Sequence, residues 1–87
     1  MPKEKIAVIT GASRGIGRSI ALALAAQGAT IVAVDMDQAA TDAIVEELQA
    51  AGCKALAVVA NVTVPGDAER MMDAATEAFG RVDVLVN

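Results

Sequence analysis

Short apolar runs alternate along the whole chain with stretches whose apolar residues recur at helical spacing, a pattern that predicts a layered α/β fold. Four runs have strand character: Lys5 to Thr10, Thr30 to Asp35, Ala55 to Ala60 and Val82 to Val86. Their centres are continuously apolar instead of alternating, and most are rich in β-branched residues, which is the habit of strands covered on both faces in a parallel sheet. The first helical stretch runs from Gly15 to Gln27, with Ile16, Ile20, Ala23 and Leu24 on one face and Gly28 closing it. The second runs from Gln38 to Ala51, capped by Asp37 and ended by Gly52, with Ile44, Leu48 and Ala51 as its buried line and Val45 flanking it. In the third, Ala68, Met71, Met72, Ala75 and Phe79 recur up to Gly80; Thr63 is the expected cap, Pro65 sits in the opening turn, and the methionines read as core fillers. Right-handed crossovers then put the first two helices on one face of the sheet and the third on the other, in strand order 3-2-1-4.

The junction between the first strand and first helix carries the chemistry. Thr10 to Gly17 reads TGASRGIG, with glycines at Gly11, Gly15 and Gly17. Glycine serves such a junction by allowing a turn that a Cβ obstructs, by letting a phosphate touch the main chain, and by letting the helix approach the sheet. The helix start adds unpaired N–H groups and the positive end of its dipole. No Gly-Lys-Ser/Thr follows, which excludes a nucleoside-triphosphatase loop. A purely structural βα turn is the bland alternative, but Thr10, Ser13 and Arg14 supply polar groups that such a turn does not need.

Two stretches together resemble the short-chain dehydrogenase/reductase family. Val8 to Gly17 is similar to that family's cofactor loop, and Phe79 to Asn87 is similar to the approach to its Asn-Asn-Ala-Gly motif. The branch most resembled is that of 3-oxoacyl-carrier-protein reductases and related polyol or hydroxysteroid dehydrogenases. The resemblance covers the whole chain but only about the first third of a typical member. It implies an α/β, Rossmann-like half domain, with residues 1–87 as the N-terminal part of a dinucleotide-binding domain that stops before the catalytic segment. It also implies cofactor contacts from Gly11, Ser13, Arg14, Gly15, Ile16 and Gly17.

Asp35 stands at the C-terminal end of the second strand, where a βαβ unit places a carboxylate beside the adenosine ribose of NAD. The 2′-phosphate of NADP would meet like charge there, so NAD is the expected cofactor and NADP the less favoured one. Arg14 pulls the other way, since an Arg in this loop resembles a 2′-phosphate contact. Asn61-Val62 stands where the family usually has Asp-Val, whose acid contacts the adenine amino group; the carbonyl oxygen of Asn61 is expected to take over that contact. Asn87 matches the first Asn of the family motif, whose backbone lies near the ribose.

Seven Lys plus Arg against eleven Asp plus Glu give a net charge of −4 without a basic cluster, which argues against nucleic acid. One cysteine, Cys53, and no histidine leave no zinc site or internal disulfide. Lys3 and Lys5 precede only a short apolar run, too brief for a signal peptide, and no apolar stretch is long enough to span a membrane; a cytoplasmic protein is expected. The family's catalytic Tyr-x-x-x-Lys pair has no counterpart, because the chain contains no tyrosine. By itself the chain is therefore expected to be inactive, as the cofactor-binding part of a parent oxidoreductase. The last strand should present an apolar edge, favouring a homodimer through the fourth strand and third helix. Two other readings are a self-associating half domain without useful ligand binding and a fragment of an S-adenosylmethionine-dependent methyltransferase. The TGxxxGxG spacing and the Phe79 to Asn87 stretch speak against the second.

Overall fold

Residues 5–87 are described in the computed structural model of the chain; Lys3 lies outside them. The elements are β1 (Ile6–Thr10), α1 (Gly15–Ala26), β2 (Thr30–Asp35), α2 (Gln38–Ala50), β3 (Ala55–Val59), α3 (Asp67–Phe79) and β4 (Val84–Val86). All four strands are parallel, in the order β3-β2-β1-β4. This is the expected Rossmann-like arrangement. Its topological switch point lies between β1 and β4, beside the glycine junction.

Strand alternation divides the core into two layers. Ala7, Ile9, Ile31 and Ala33 face α1 and α2, where Ala21, Ala25, Ile44, Val45 and Leu48 are buried against them. Val8, Val32, Val34 and Val58 face α3, which contributes Met71 and Ala75. The alanines of α1 are what let a helix lie so close to the sheet.

That close approach also corrects the expected helix faces. Ile16 is 80% exposed and Ala23 is exposed, while the residues fully turned inward are Ala21 and Ala25. In α2 the inward line is Thr41, Ile44, Val45 and Leu48; Ala51 is the exposed C-cap, and the Thr41 hydroxyl donates to the Asp37 carbonyl at 2.6 Å. Asp37 caps this helix as expected, accepting from the Ala40 amide at 3.1 Å. In α3, Ala68 is exposed, and the residues turned fully inward are Met71 and Ala75.

The cap of α3 is Gly66, with φ +90°, and not Thr63. Thr63 is occupied locally: its amide and hydroxyl both donate to the Asn61 side-chain oxygen, at 3.0 and 2.6 Å. Asp67 and Glu69 in the first turn complement the helix dipole instead. β3 ends at Val59, one residue short of Ala60, whose amide still reaches the Asp35 carbonyl at 3.0 Å. β4 is shorter than expected for a specific reason. The Asp83 amide donates to the Ile6 carbonyl at 2.9 Å, but the Ile6 amide donates to the Asp83 carboxylate, at 2.8 Å, so a side chain takes the place of a ladder carbonyl.

Candidate functional site

At the end of β1 the chain turns through Gly11, with φ +64°, and enters α1 through Gly15, with φ +58°, a region where a side chain is strained. Gly17 meets a different constraint. A Cβ there would overlap the Gly11 carbonyl, lying 2.7 Å from its carbon and 3.2 Å from the Ala12 nitrogen. The loop is tied to β2 by the Ala12 amide, which donates to the Val34 carbonyl at 3.2 Å. Arg14 occupies the N-cap position in extended conformation, no side chain caps this helix end, and its first turn holds no acid. The result is a bare, glycine-lined helix start with the positive dipole end exposed, a cradle shaped for an anionic group. Arg18, one turn in, is engaged by Glu47 of α2 at 2.5 Å and so is held away from that position.

Asp35 ends β2 beside this loop. Its Oδ2 accepts from the Ser13 hydroxyl and, at 3.3 Å, from the Ser13 amide; its Oδ1 accepts from the Met36 amide at 2.8 Å. The Ser13 hydroxyl foremost holds this carboxyl below its ordinary value; burial opposes it, and the two amides and the Arg14 charge add to the lowering. Both lone pairs of Oδ2 are thereby engaged, and Oδ1 keeps one open. The group is thus an ionised acceptor fixed in place, suited to a hydroxyl donor at Oδ1.

Asp67 and Asp83 share the same direction of shift, caused first by the amides of Asn61 and Ile6 respectively. All three carboxyls titrate below the ordinary 3.8 when folded, so their bonds contribute stability above that value and lose it as pH falls through the depressed folded values. With no histidine in the chain, urea-denaturation stability is expected to be flat from about pH 6 to 8 and to fall below about pH 4. Stability that rises on acidification would contradict these bonds.

Thr10, Gly11, Asp35, Asn61, Val62 and Asn87 line a single cleft of about 350 Å³ over the C-terminal ends of the strands. Five of the residues expected from sequence are thereby brought together, and Ser13 joins them through Asp35. Arg14, Gly15, Ile16 and Gly17 lie next to the cleft at the start of α1, outside its lining. Thr10, Met36 and Thr63 line the cleft without having been assigned to it. The signal for Met36 was available, as an apolar residue directly after a strand-end carboxylate; Thr10 directs its hydroxyl to the Val86 carbonyl and the Asn87 side-chain oxygen, at 3.3 and 3.2 Å, and so joins β1 to β4. The Asn61 oxygen, expected to be free, is taken by Thr63. A larger cleft, about 500 Å³, opens at the opposite end of the sheet around Gly28, Gly52, Cys53 and Lys54. It lies away from the switch point and from the glycine junction.

The chain is similar in sequence and fold to known proteins. The short chain dehydrogenase family profile matches residues 5–87. An uncharacterized oxidoreductase of Methylorubrum extorquens is 51% identical over 84 residues, covering 95% of this chain and 34% of its own length. A 3-oxoacyl-[acyl-carrier-protein] reductase of Synechocystis is 46% identical over 85 residues, with 95% and 34% covered. Among solved structures, a short chain dehydrogenase/reductase from Burkholderia phymatum in complex with NAD superposes with a TM-score of 0.92 at 40% identity, over 95% of this chain and 30% of that one. A hydroxysteroid dehydrogenase from Escherichia coli gives 0.94 at 38% identity, over 98% and 36%. The chain thus spans about a third of the length of these relatives. With its glycine junction, its strand order and its match along 5–87 in agreement, the chain belongs to the short chain dehydrogenase family.

Proposed function

We propose that residues 1–87 are the N-terminal, dinucleotide-binding part of an NAD-dependent oxidoreductase acting between alcohol and carbonyl substrates. The observation that carries this reading is the Asp35 carboxylate, braced by Ser13 and the Met36 amide, on the same cleft as Gly11 and next to the uncapped start of α1. Bound there, NAD would supply the hydride acceptor or donor. In this reading the α1 start holds the pyrophosphate, Asp35 accepts from the ribose hydroxyls, and Arg14 partly offsets the repulsion that Asp35 exerts on NADP. Gly15, Ile16 and Gly17 form the floor of the phosphate site, and Asn61, Val62 and Asn87 adjoin the adenosine.

Calorimetric titration of the protein with NAD, NADP and S-adenosylmethionine tests this, with NAD expected to bind tightest. Because the 87 residues contain no tyrosine, they are expected to reduce no NAD with a panel of secondary alcohols. Binding of S-adenosylmethionine with no response to either dinucleotide would replace this reading by the methyltransferase one. The net charge of −4 argues against nucleic acid as a partner, and no helix among the described residues is long and apolar enough to cross a membrane. A cytoplasmic setting remains part of this proposal.

We further propose that two copies of the 87-residue chain associate through β4 and α3. Among the described residues β4 is paired only with β1, and Leu85, on the α3 side of the sheet, is 47% exposed. Leu85→Lys is the informative substitution, since Val84 packs into the α1 layer and its loss would disturb the core. Sedimentation across a concentration series is expected to show a dimer that the Leu85→Lys chain does not form. A folded monomer of 8.8 kDa at every concentration would exclude this interface.

A further inference from the structure

The sheet has two outer strands, β4 and β3. In β3 the direction of each backbone group follows from the ladder with β2. The Ile31 amide donates to the Lys54 carbonyl and the Ala60 amide to the Asp35 carbonyl, both at 3.0 Å, so the even-numbered positions from 54 to 60 face β2. Ala55, Ala57 and Val59 therefore turn their N–H and C=O groups to the open side. Both ends of this open row are taken by side chains. Gln49 of α2 donates its Nε2 to the Ala55 carbonyl at 3.3 Å, and Arg70 of α3 donates a guanidinium N–H to the Val59 carbonyl at 2.8 Å. The two helices pack on opposite faces of the sheet, so the edge is gripped from both sides. Arg70 is itself steadied by Asp67, at 3.4 Å, which also accepts from the Asn61 amide at 2.9 Å.

The residues of β3 show what such a grip prevents. Ala55 to Ala60 reads ALAVVA, without a charge, a proline or a glycine. A run of that kind, with unpaired backbone along one side, is a template for another strand. No lysine, proline or bulge within the strand blunts it, and its pairing with β2 is regular from Ala55 to Val59. The strand that fits best is a second copy of itself. Two copies related by a two-fold axis at Ala57 run antiparallel, with Ala57 opposite Ala57 and Ala55 opposite Val59, so only small side chains meet. Three outward residues on each chain, each with one N–H and one C=O, give six bonds in that pairing. Gln49 and Arg70 occupy the Ala55 and Val59 carbonyls on both chains, which removes the acceptors of four of the six. Arg70 also places a charge beside an otherwise uncharged edge.

We propose that Gln49 and Arg70 close the outer edge of β3 against a second copy of the chain, and that this edge is a latent two-fold interface, separate from β4, which opens when both side chains are removed.

The test is sedimentation across a concentration series, on the Leu85→Lys chain with and without Gln49→Ala and Arg70→Ala together. Leu85→Lys keeps the β4 edge out of the comparison, and alanine at positions 49 and 70 keeps α2 and α3 helical. Removing both side chains is expected to raise the average mass with concentration, towards twice that of the parent chain. Adding Ala57→Pro is expected to return it to the parent value. The Ala57 N–H points away from β2, so proline there costs no ladder bond while it takes away the central donor of the pairing. A mass that the two alanines leave unchanged overturns the proposal, as does an increase that Ala57→Pro does not reverse. Hydrogen exchange on the unmodified protein decides the matter even where the variants do not fold. Its Ala57 and Val59 amides are expected to exchange at the same fast rate at every concentration. Protection of these two amides that grows with concentration would mean that the edge pairs with both side chains in place, and would overturn the proposal.

Discussion

Asp35→Ala is expected to shift the ratio of NAD to NADP affinity by about 100-fold towards NADP, nearly all of it at the ribose. Two effects add. The ribose hydroxyls of NAD lose a charged acceptor, worth about 1.5–3 kcal/mol, and the 2′-phosphate of NADP loses a like charge at close range. A factor of 100 corresponds to about 2.8 kcal/mol, within the upper part of the first effect alone and reached more easily with the second added. Arg14, which offsets the Asp35 charge in the unmodified protein, then becomes a phosphate partner without a competitor. Ser13 loses its acceptor in the same variant, but the backbone of the loop is still held by the Ala12 to Val34 bond. Parallel titrations with the two dinucleotides provide the measurement. Equal preferences before and after the substitution would remove Asp35 from the ribose site.

Gly17→Ala is expected to be the more damaging of two alanine substitutions in the loop, although its backbone is the less unusual. Gly15 has φ +58° but open space where a methyl would stand, so Gly15→Ala meets only the left-handed penalty of about 1–2 kcal/mol. At Gly17 the methyl collides with main-chain atoms of Gly11 and Ala12, which cannot move aside like the tip of a side chain. Either α1 lifts from the sheet or the turn at Gly11 opens, and both spoil the phosphate cradle. A cost of about 3 kcal/mol, the upper part of the overpacking range, amounts to some 12–24 °C in a domain of this size. Thermal melts of the two variants, alongside NAD titrations, check the order. A Gly17→Ala protein that melts with the unmodified one would mean that the helix has room to spare.

Most of the architecture was legible because each element carries a separate local signal. Continuous apolar runs mark the strands, positive-φ glycines at Gly28, Gly52 and Gly80 mark the helix ends, and Asp37 announces its own cap. The errors fall where two local signals compete. Thr63 and Pro65 have the composition of a helix start, yet Asn61 captures Thr63 first in a side-chain turn, and the helix waits for Gly66. Ile16 has the right spacing for an inward face, but Gly17 brings that end of α1 so close to the loop that the larger side chain is turned outward. In the site, the residue types were readable and their bonding states were not. Which lone pairs of Asn61 and Asp35 are already used depends on Thr63 and Ser13 in three dimensions, and no spacing rule contains that information.

The contact between Ile6 and Asp83 joins residues 77 apart, whereas β1 meets β2 across only the length of α1 and its turns. Closing a loop roughly three times longer costs about 1 kcal/mol more in chain entropy. The βαβ units from β1 to β3 therefore have the advantage of proximity, and β4 has to find an edge that they have already built. Proximity thus favours the pairings of β1 with β2 and β2 with β3 over that of β1 with β4. The Asn87 wall of the cleft, and the partners of Thr10 across the sheet, depend on that most distant pairing.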